Sequence, residues 1–237
     1  MNKQERAMET RQNADISPLE ALSEIYRLYD DYTETFSLAC RKYCSDCCTA
    51  DVTLTSLEAE MIYRYLDREN HRKVFEKVAA CSDIPRFRPS MTTNSHARIC
   101  SEHREPPKET FPEQPGVCPL LEGDACTIYP VRPFGCRCMI SSKPCRRTGS
   151  AQIDDITLTV NTMFLQIIEH ADRQGFSGNL TDVLTRLGPG GEKTDAAGPT
   201  VSNEPVTVLM VPPEHHSRVI PLLNTLNHIL GRVPAFS

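Results

Sequence analysis

No apolar run in this 237-residue chain approaches the roughly 20 residues needed to cross a bilayer, so the sequence predicts no membrane-spanning helix and no membrane partner. The first ten residues are polar, without an apolar stretch, and read as no secretory signal; the expectation is a cytoplasmic chain. A basic surplus is missing too. The net charge of −5 argues against a broad nucleic-acid surface, so no nucleic-acid partner is expected. The basic residues collect only locally, as Arg86, Arg88, Arg98, Arg104 and Lys108, and as Lys143, Arg146 and Arg147. A solvated loop face explains both groups better than an anionic partner does. No internal repeat is visible, and no glycine-rich nucleotide fingerprint follows a strand. A hydrophobic content of 39% and mean hydropathy of −0.38 fit one medium domain with a modest core and appendages.

Thiols are what the chain has in excess: eleven cysteines, four of them within Cys40-Arg-Lys-Tyr-Cys44-Ser-Asp-Cys47-Cys48. A secreted disulfide scaffold is disfavoured by the chain's size, the lack of an export signal and the odd count. In a reducing compartment, thiols clustered this closely point to metal or redox chemistry. Isolated Cys81 reads as a small buried hydrophobe.

The pattern predicts a mainly α fold with a small β-hairpin: an irregular cysteine-rich metal-binding domain with a short C-terminal strand-helix appendage. Residues 1–16 read as a disordered tail, 17–187 as the metal-binding domain, 188–205 as a flexible linker and 206–237 as the C-terminal segment. The capping box Ser17-Pro18-Leu19-Glu20 opens a helix expected to run to about Cys44 or Cys48. On such a helix, Leu22, Ile25, Tyr29, Tyr32 and Phe36 lead into one stripe holding Cys40, Cys44 and Cys47. A second capping box, Thr55 to Glu58, opens a helix to about Ala80. Between Cys81 and Pro115 six prolines forbid long regular elements, and a functional loop is expected there. Within it Cys100-x2-His103 resembles half a zinc site but lacks a second half.

Cys118 to Tyr129 reads as a hairpin turning at Gly123-Asp124, which brings Cys118 and Cys126 together. Pro130 to Cys136 is rigid and non-helical, suited to presenting a thiolate while backbone N–H groups bond to its sulfur. Further helices are predicted from Asp154 to about Arg173, over 180–187 up to Gly188, and from Pro212 to Leu230. A strand is predicted over 206–211. His170, alone on its helix, reads as structural.

Soft thiolates select zinc, copper(I) or iron–sulfur clusters. A mononuclear zinc site prefers two paired Cys-x2-Cys knuckles. This chain offers one close group and one dispersed group, a pattern an iron–sulfur cluster accepts more readily. An iron–sulfur cluster (4Fe–4S) therefore stands ahead, with zinc as the alternative.

Cys44-x2-Cys47-Cys48 followed by Val52-Thr-Leu-Thr55, then Cys118-Pro-Leu-Leu, Cys126-Thr-Ile-Tyr129, Arg132-Pro133 and Cys136-Arg137, resembles the YkgJ-type cysteine-cluster family. That family is described as a zinc- or iron-chelating domain with a C-x2-C-x2-C-C signature. The resemblance spans about residues 36 to 140. It implies Cys44, Cys47, Cys48, Cys118, Cys126 and Cys136 as the metal-binding set. It departs at Arg41, where the signature places its first cysteine; the nearest thiol is Cys40, either a displaced ligand or part of the apolar stripe. Cys138 and Cys145 are spare ligands on this reading. Flagellin lysine N-methylases carry a similar cluster, which implies protein modification as one activity. The spacing Cys40-x3-Cys44-x2-Cys47 also matches a radical-enzyme loop, but no (β/α) repeat surrounds it.

Two function classes follow. The first is a redox or accessory module with a structural or electron-carrying centre and a protein redox partner. The second is an enzyme whose cluster serves reaction on a protein substrate.

Overall fold

The computed structural model describes residues 14–68, 72–188 and 198–234. Helix α1 (Pro18–Glu34) starts as its capping box dictates, with Ser17 and Glu20 bonded reciprocally, and buries Leu22, Ile25, Tyr26 and Tyr29. It packs against α7 (Asp155–Ala171), capped by Asp154, and against α9 (His216–Gly231), which follows a 3-10 turn at Pro213–His215. Val160, Phe164, Leu226 and Ile229 share that core with Leu22 and Ile25. A second core joins α2 (Ser56–Arg68), α3 (Arg72–Ala80) and α8 (Leu180–Leu187) through Ile62, Leu66, Val78, Val183 and Leu184.

Between the two cores runs a small antiparallel sheet. Strand β1 (Thr53–Thr55) pairs β4 (Phe176–Asn179), with Leu54 opposite Gly178, and β4 pairs β5 (Thr200–Ser202). The fully buried Asn179 locks this centre. It accepts from the Thr181 N–H at the start of α8, and its amide donates to Ala50 O (2.7 Å) and Phe87 O (2.9 Å). A hairpin of β2 (Leu121–Glu122) and β3 (Ala125–Cys126) turns at Gly123 (φ 59°) and Asp124, as the sequence predicts. Two short helices follow, α5 (Phe134–Arg137) and α6 (Cys145–Thr148). The mainly helical class is as expected.

Several elements differ from expectation. Helix α1 does not run into the cysteines: it ends at Glu34, so Cys40, Cys44 and Cys47 share no helical stripe. Low-propensity Thr33 and Thr35 sit at its end, and the Thr33 hydroxyl bonds back to Tyr29 O and Asp30 O. Beyond it the Ala39 N–H leaves for Ser141 O at 2.8 Å. Of the helix expected from Thr55 to Ala80, the described residues show α2 and α3, and 69–71 between them lie outside the described residues. Among the prolines lies α4 (Thr93–Ser101), nine residues capped by a Thr92/Ser95 box. The strand expected over 206–211 is irregular chain; its backbone serves side chains of α7, with Met210 N–H donating to Gln166 (2.9 Å) and Val206 N–H to His170 (3.2 Å). The strand lies instead at Thr200–Ser202, inside the stretch expected as linker. Residues 189–197 of that linker and residues 1–13 of the expected tail lie outside the described residues.

Mostly buried Asp172 joins α7 to the start of α2, accepting from the Ser56 hydroxyl (2.6 Å) and the Leu57 N–H (3.0 Å). Burial outweighs those bonds and pushes its carboxyl up to about 6. A folded-state value above the unfolded one means this contribution is full below the ordinary 3.8 and is lost as pH rises through about 6. The loss expected is on the order of 2–3 kcal/mol. Asp172→Asn keeps an acceptor for both bonds, so urea melts across that window should flatten; an unchanged pH slope would refute the assignment.

Candidate metal centre

Three stretches of chain close around a cavity of about 390 Å³ at the seam of the two cores. The first is the irregular loop after α1. A turn closed by Cys44 N–H to Arg41 O (3.0 Å) carries Tyr43 at φ 73°, a left-handed conformation uncommon for a bulky residue. A second turn, Cys48 N–H to Ser45 O (2.9 Å), follows at once. The two turns deliver Cys44, Cys47 and Cys48 to the cavity wall, with Cys40 beside them.

The loop is then pinned to the hairpin. Thr49 bridges Val117, the Cys118 N–H donates to Cys48 O (3.1 Å), and the Ala50 N–H donates to Gly116 O (2.7 Å). Gly116 has no room for a side chain, since a Cβ there would lie 2.0 Å from Ile84 Cγ2. The hairpin contributes Cys118 and Cys126, whose sulfurs accept backbone N–H bonds from Leu120 and Ile128. These are the supporting bonds a thiolate site uses.

Helix α5 brings Cys136. It is fastened from both sides. Buried Glu58 accepts from the Phe134 N–H (2.7 Å), the Tyr26 hydroxyl (2.6 Å) and the Thr55 N–H (2.8 Å). Arg137 donates through Nη1 to both carboxylate oxygens of Asp30 on α1, at 2.8 and 2.7 Å, and lies over the Tyr26 ring at 4.4 Å. A Cβ on Gly135 would come within 3.0 Å of Thr53 O, so α5 rides directly on β1.

Seven thiols thus line one cavity: Cys40, Cys44, Cys47, Cys48, Cys118, Cys126 and Cys136. Cys138 turns away; its thiol donates to Gly135 O (3.5 Å) and packs against the α1–α7 core. Cys145, at the start of α6, lies outside the cavity wall. Cys81 is less isolated than its sequence position suggests, standing near Cys118, yet it does not line the cavity. Cys100 is exposed on α4, 3.9 Å from His96 Nδ1, away from the other thiols of the wall.

The electrostatics are those of a thiol site awaiting positive charge. Burial pushes Cys118 up to about 11 and raises Cys40, Cys126 and, most of all, Cys136; buried Cys138 is pushed to about 12. Cys47 and Cys48 share a hydrogen bond that raises the first and lowers the second. Arg132, stacked on Tyr129 at 4.1 Å, eases ionisation of Cys126. Without a cation these buried thiols hold their protons; a bound metal ion reverses that preference.

The donor chemistry fits zinc or iron. Among the described residues, no three His, Cys, Asp or Glu side chains are yet gathered on one point, so the sulfurs line the cavity without converging. Glu58 and Arg137 are the supports that sequence reasoning missed. The capping box marks Glu58 as a local cap, but nothing local signals its bonds to Tyr26 and Phe134.

Over residues 39–158 the chain matches the family model "CxxCxxCC: Putative zinc- or iron-chelating domain". No curated protein and no solved structure matches the chain.

Proposed function

We propose that this chain, which belongs to the CxxCxxCC family of zinc- or iron-chelating domains, holds an iron–sulfur cluster in the thiol cavity and works as a redox or accessory module for a partner protein. The observation that carries the reading is the meeting of seven thiols from separate stretches of chain around one cavity of about 390 Å³. A single tetrahedral zinc draws its four sulfurs to about 3.8 Å from one another, with Zn–S near 2.3 Å. A 4Fe–4S cluster spreads its thiolates over several metal atoms, and a cavity of about 390 Å³ lined by seven thiols that do not converge on one point supports it over a single ion. Cys44, Cys47, Cys48, Cys118, Cys126 and Cys136 are the candidate ligands. When bound, the cluster supplies one-electron transfer; the chain's own part is to seat it, bond N–H groups to its sulfurs and exclude water with Phe36, Val52, Leu120 and Ile140.

Zinc is the second reading, supported by the donor set alone, and would make the centre structural. An enzyme acting on a protein side chain is the third, supported by the apolar wall that leaves room beside the sulfurs. Neither nucleic acid nor a membrane is a partner on any of these readings.

The test is metal and acid-labile sulfide content with an absorption spectrum, on protein purified without oxygen. Iron and sulfide in equal amounts are expected. Zinc without sulfide would replace the cluster by a structural ion and end the enzyme reading; absence of any metal would overturn all three. Cys47→Ser and Cys48→Ser should each abolish metal binding and destabilise the fold, because metal–thiolate bonds couple to folding. Cys81→Ser should leave metal content unchanged.

A further inference from the structure

Lys143, Arg146 and Arg147 read in sequence as a solvated loop face. The fold sets them beside two further cations. Stretches 39–46 and 141–146 are tied together at both ends: the Ala39 N–H donates to Ser141 O (2.8 Å), and Arg146 pairs with Asp46 (2.5 Å). Arg41 and Lys42 lie between the ties on one stretch, Lys143 lies between them on the other, and Arg147 follows, so five exposed cations share one surface. Buried Ser141 fixes the second stretch, its hydroxyl donating to Lys143 O (2.6 Å) and accepting from the Gln152 N–H (2.9 Å). Asp46 and Asp124 are the carboxylates beside them; Asp124 accepts from the Ser45 hydroxyl (2.5 Å).

This surface borders the thiol cavity. Arg41 and Tyr43 line the cavity with Cys44, and Met139 lines it from the chain after α5. Tyr43 is 63% exposed and Met139 48%, so both reach from the wall into solvent. Tyr43 stands there at φ 73°, and backbone strain of this kind collects at binding surfaces. The Lys42 ammonium lies 5.4 Å from the centre of its ring. Tyrosine, methionine and arginine are the residues enriched at protein interfaces. Another part of the wall is acidic, with Glu34 and with Asp30 paired to Arg137. Five cations gathered on a chain of net charge −5 leave the remainder of the molecule negative, which steers an acidic partner to this one face. An extended polyanion such as nucleic acid would also meet the repelling remainder; a compact acidic protein touches only the patch.

We propose that this face docks an acidic electron-carrying protein, which sets carboxylates against Arg41, Lys42, Lys143, Arg146 and Arg147 and packs on Tyr43 and Met139 beside the thiols. The inference rests on the redox reading above and names the partner's charge and the side it approaches. Arg41, standing where the CxxCxxCC signature has its first cysteine, then serves the partner rather than the metal.

The test is carbodiimide cross-linking of the full chain, purified without oxygen, to flavodoxin, a small acidic electron carrier, read by peptide mass spectrometry. Cross-links are expected at Lys42 and Lys143 at low salt and should vanish by about 0.3 M salt, where screening confines charges to short range. Stopped-flow mixing with flavodoxin hydroquinone gives a second readout: one electron leaves the anionic flavin, which becomes the neutral semiquinone, and reduces the oxidised centre. Lys143→Glu/Arg147→Glu should slow that second-order step about tenfold at low salt and flatten its salt dependence. Arg104→Glu/Lys108→Glu makes the same change of net charge outside the cavity wall and should leave both readouts unchanged. Cross-links spread evenly over the lysines, or the two double variants slowed alike, would overturn the docking face and leave the cluster. Retention on single-stranded DNA at salt that releases flavodoxin would overturn the protein partner in favour of nucleic acid. A chain that dithionite cannot reduce would overturn the redox reading and the electron carrier with it, while cross-links confined to Lys42 and Lys143 would still establish the face for an acidic protein.

Discussion

Replacing Glu58 with alanine is expected to lower stability by at least about 3 kcal/mol, since it leaves three buried donors unmatched at about 1–3 kcal/mol each. It should also take Cys136 out of the metal centre. The donors are the Thr55 N–H at the head of α2, the Tyr26 hydroxyl on α1 and the Phe134 N–H at the head of α5. One carboxylate therefore ties both helical layers to the four-residue helix that presents Cys136. Phe134 remains wedged between Tyr29 (4.7 Å) and Phe164 (5.5 Å), so the ring should hold its place while the backbone after it loosens. Glu58→Gln keeps the volume and one acceptor oxygen but aims an amide N–H at a donor; its loss should be about half as large. Urea melts and metal content, measured on both variants, check this. If Glu58→Ala melts like the parent and keeps its full metal, the carboxylate is a bystander and Arg137 alone holds α5.

Glu58 also shows where sequence reading stops. The box Thr55 to Glu58 is legible because a cap is a contact three residues long, and the start of α1 at Ser17 to Glu20 is legible for the same reason. The thiol grouping was legible because the spacing of Cys118 and Cys126 across Gly123-Asp124 dictates a hairpin. What escaped depended on distant partners. The path of the chain beyond α1 is set by Ser141, about a hundred residues away, which takes the Ala39 N–H. Strand β5 exists because β4 offers it an edge, with Ser177 opposite Val201, and no local alternation marks it. Helix α4 hid among prolines because its Thr92/Ser95 box falls between Pro89 and Pro106 and because buried Glu169 of α7 accepts its Asn94 N–H (2.8 Å). The helical stripe expected to gather Cys40, Cys44 and Cys47 is absent, and two tight turns bring Cys44, Cys47 and Cys48 to the cavity wall instead.

The other large effect expected lies behind the cavity, at Asp182. Its carboxylate takes a fork from Arg86 (2.6 and 3.2 Å) and a bond from Arg88 (3.0 Å), and the Arg86 and Asp182 side chains are each only 2% exposed. Arg86 spends its remaining donors on Ser82 O (2.7 Å), Ile84 O (2.9 Å) and Cys81 O (3.3 Å), closing the chain after α3. Asp182→Ala would strand a buried guanidinium, at a cost of about 3–5 kcal/mol. Arg88→Ala should cost no more than about 1 kcal/mol, because that side chain is 42% exposed and its partner keeps Arg86. Burial alone would raise the Asp182 carboxyl; the two guanidiniums more than offset it and hold it below its ordinary value. A depressed folded-state value means its contribution is present above the unfolded 3.8 and fades only as pH falls through the lower folded one. The gap between parent and Asp182→Ala should therefore persist from neutral pH down to about 4 and shrink below it. The effect should reach the thiols. Pro85, next to Arg86, accepts the Gly116 N–H (3.0 Å), and Gly116 in turn holds Ala50 at the exit of the Cys48 loop. Metal affinity of Asp182→Ala should fall with its stability, while that of Arg88→Ala should not. Urea melts between pH 3 and 8, paired with metal content, decide the matter; a variant within 1 kcal/mol of the parent at neutral pH would mean that the buried guanidinium finds water, and that the pair does not hold this wall.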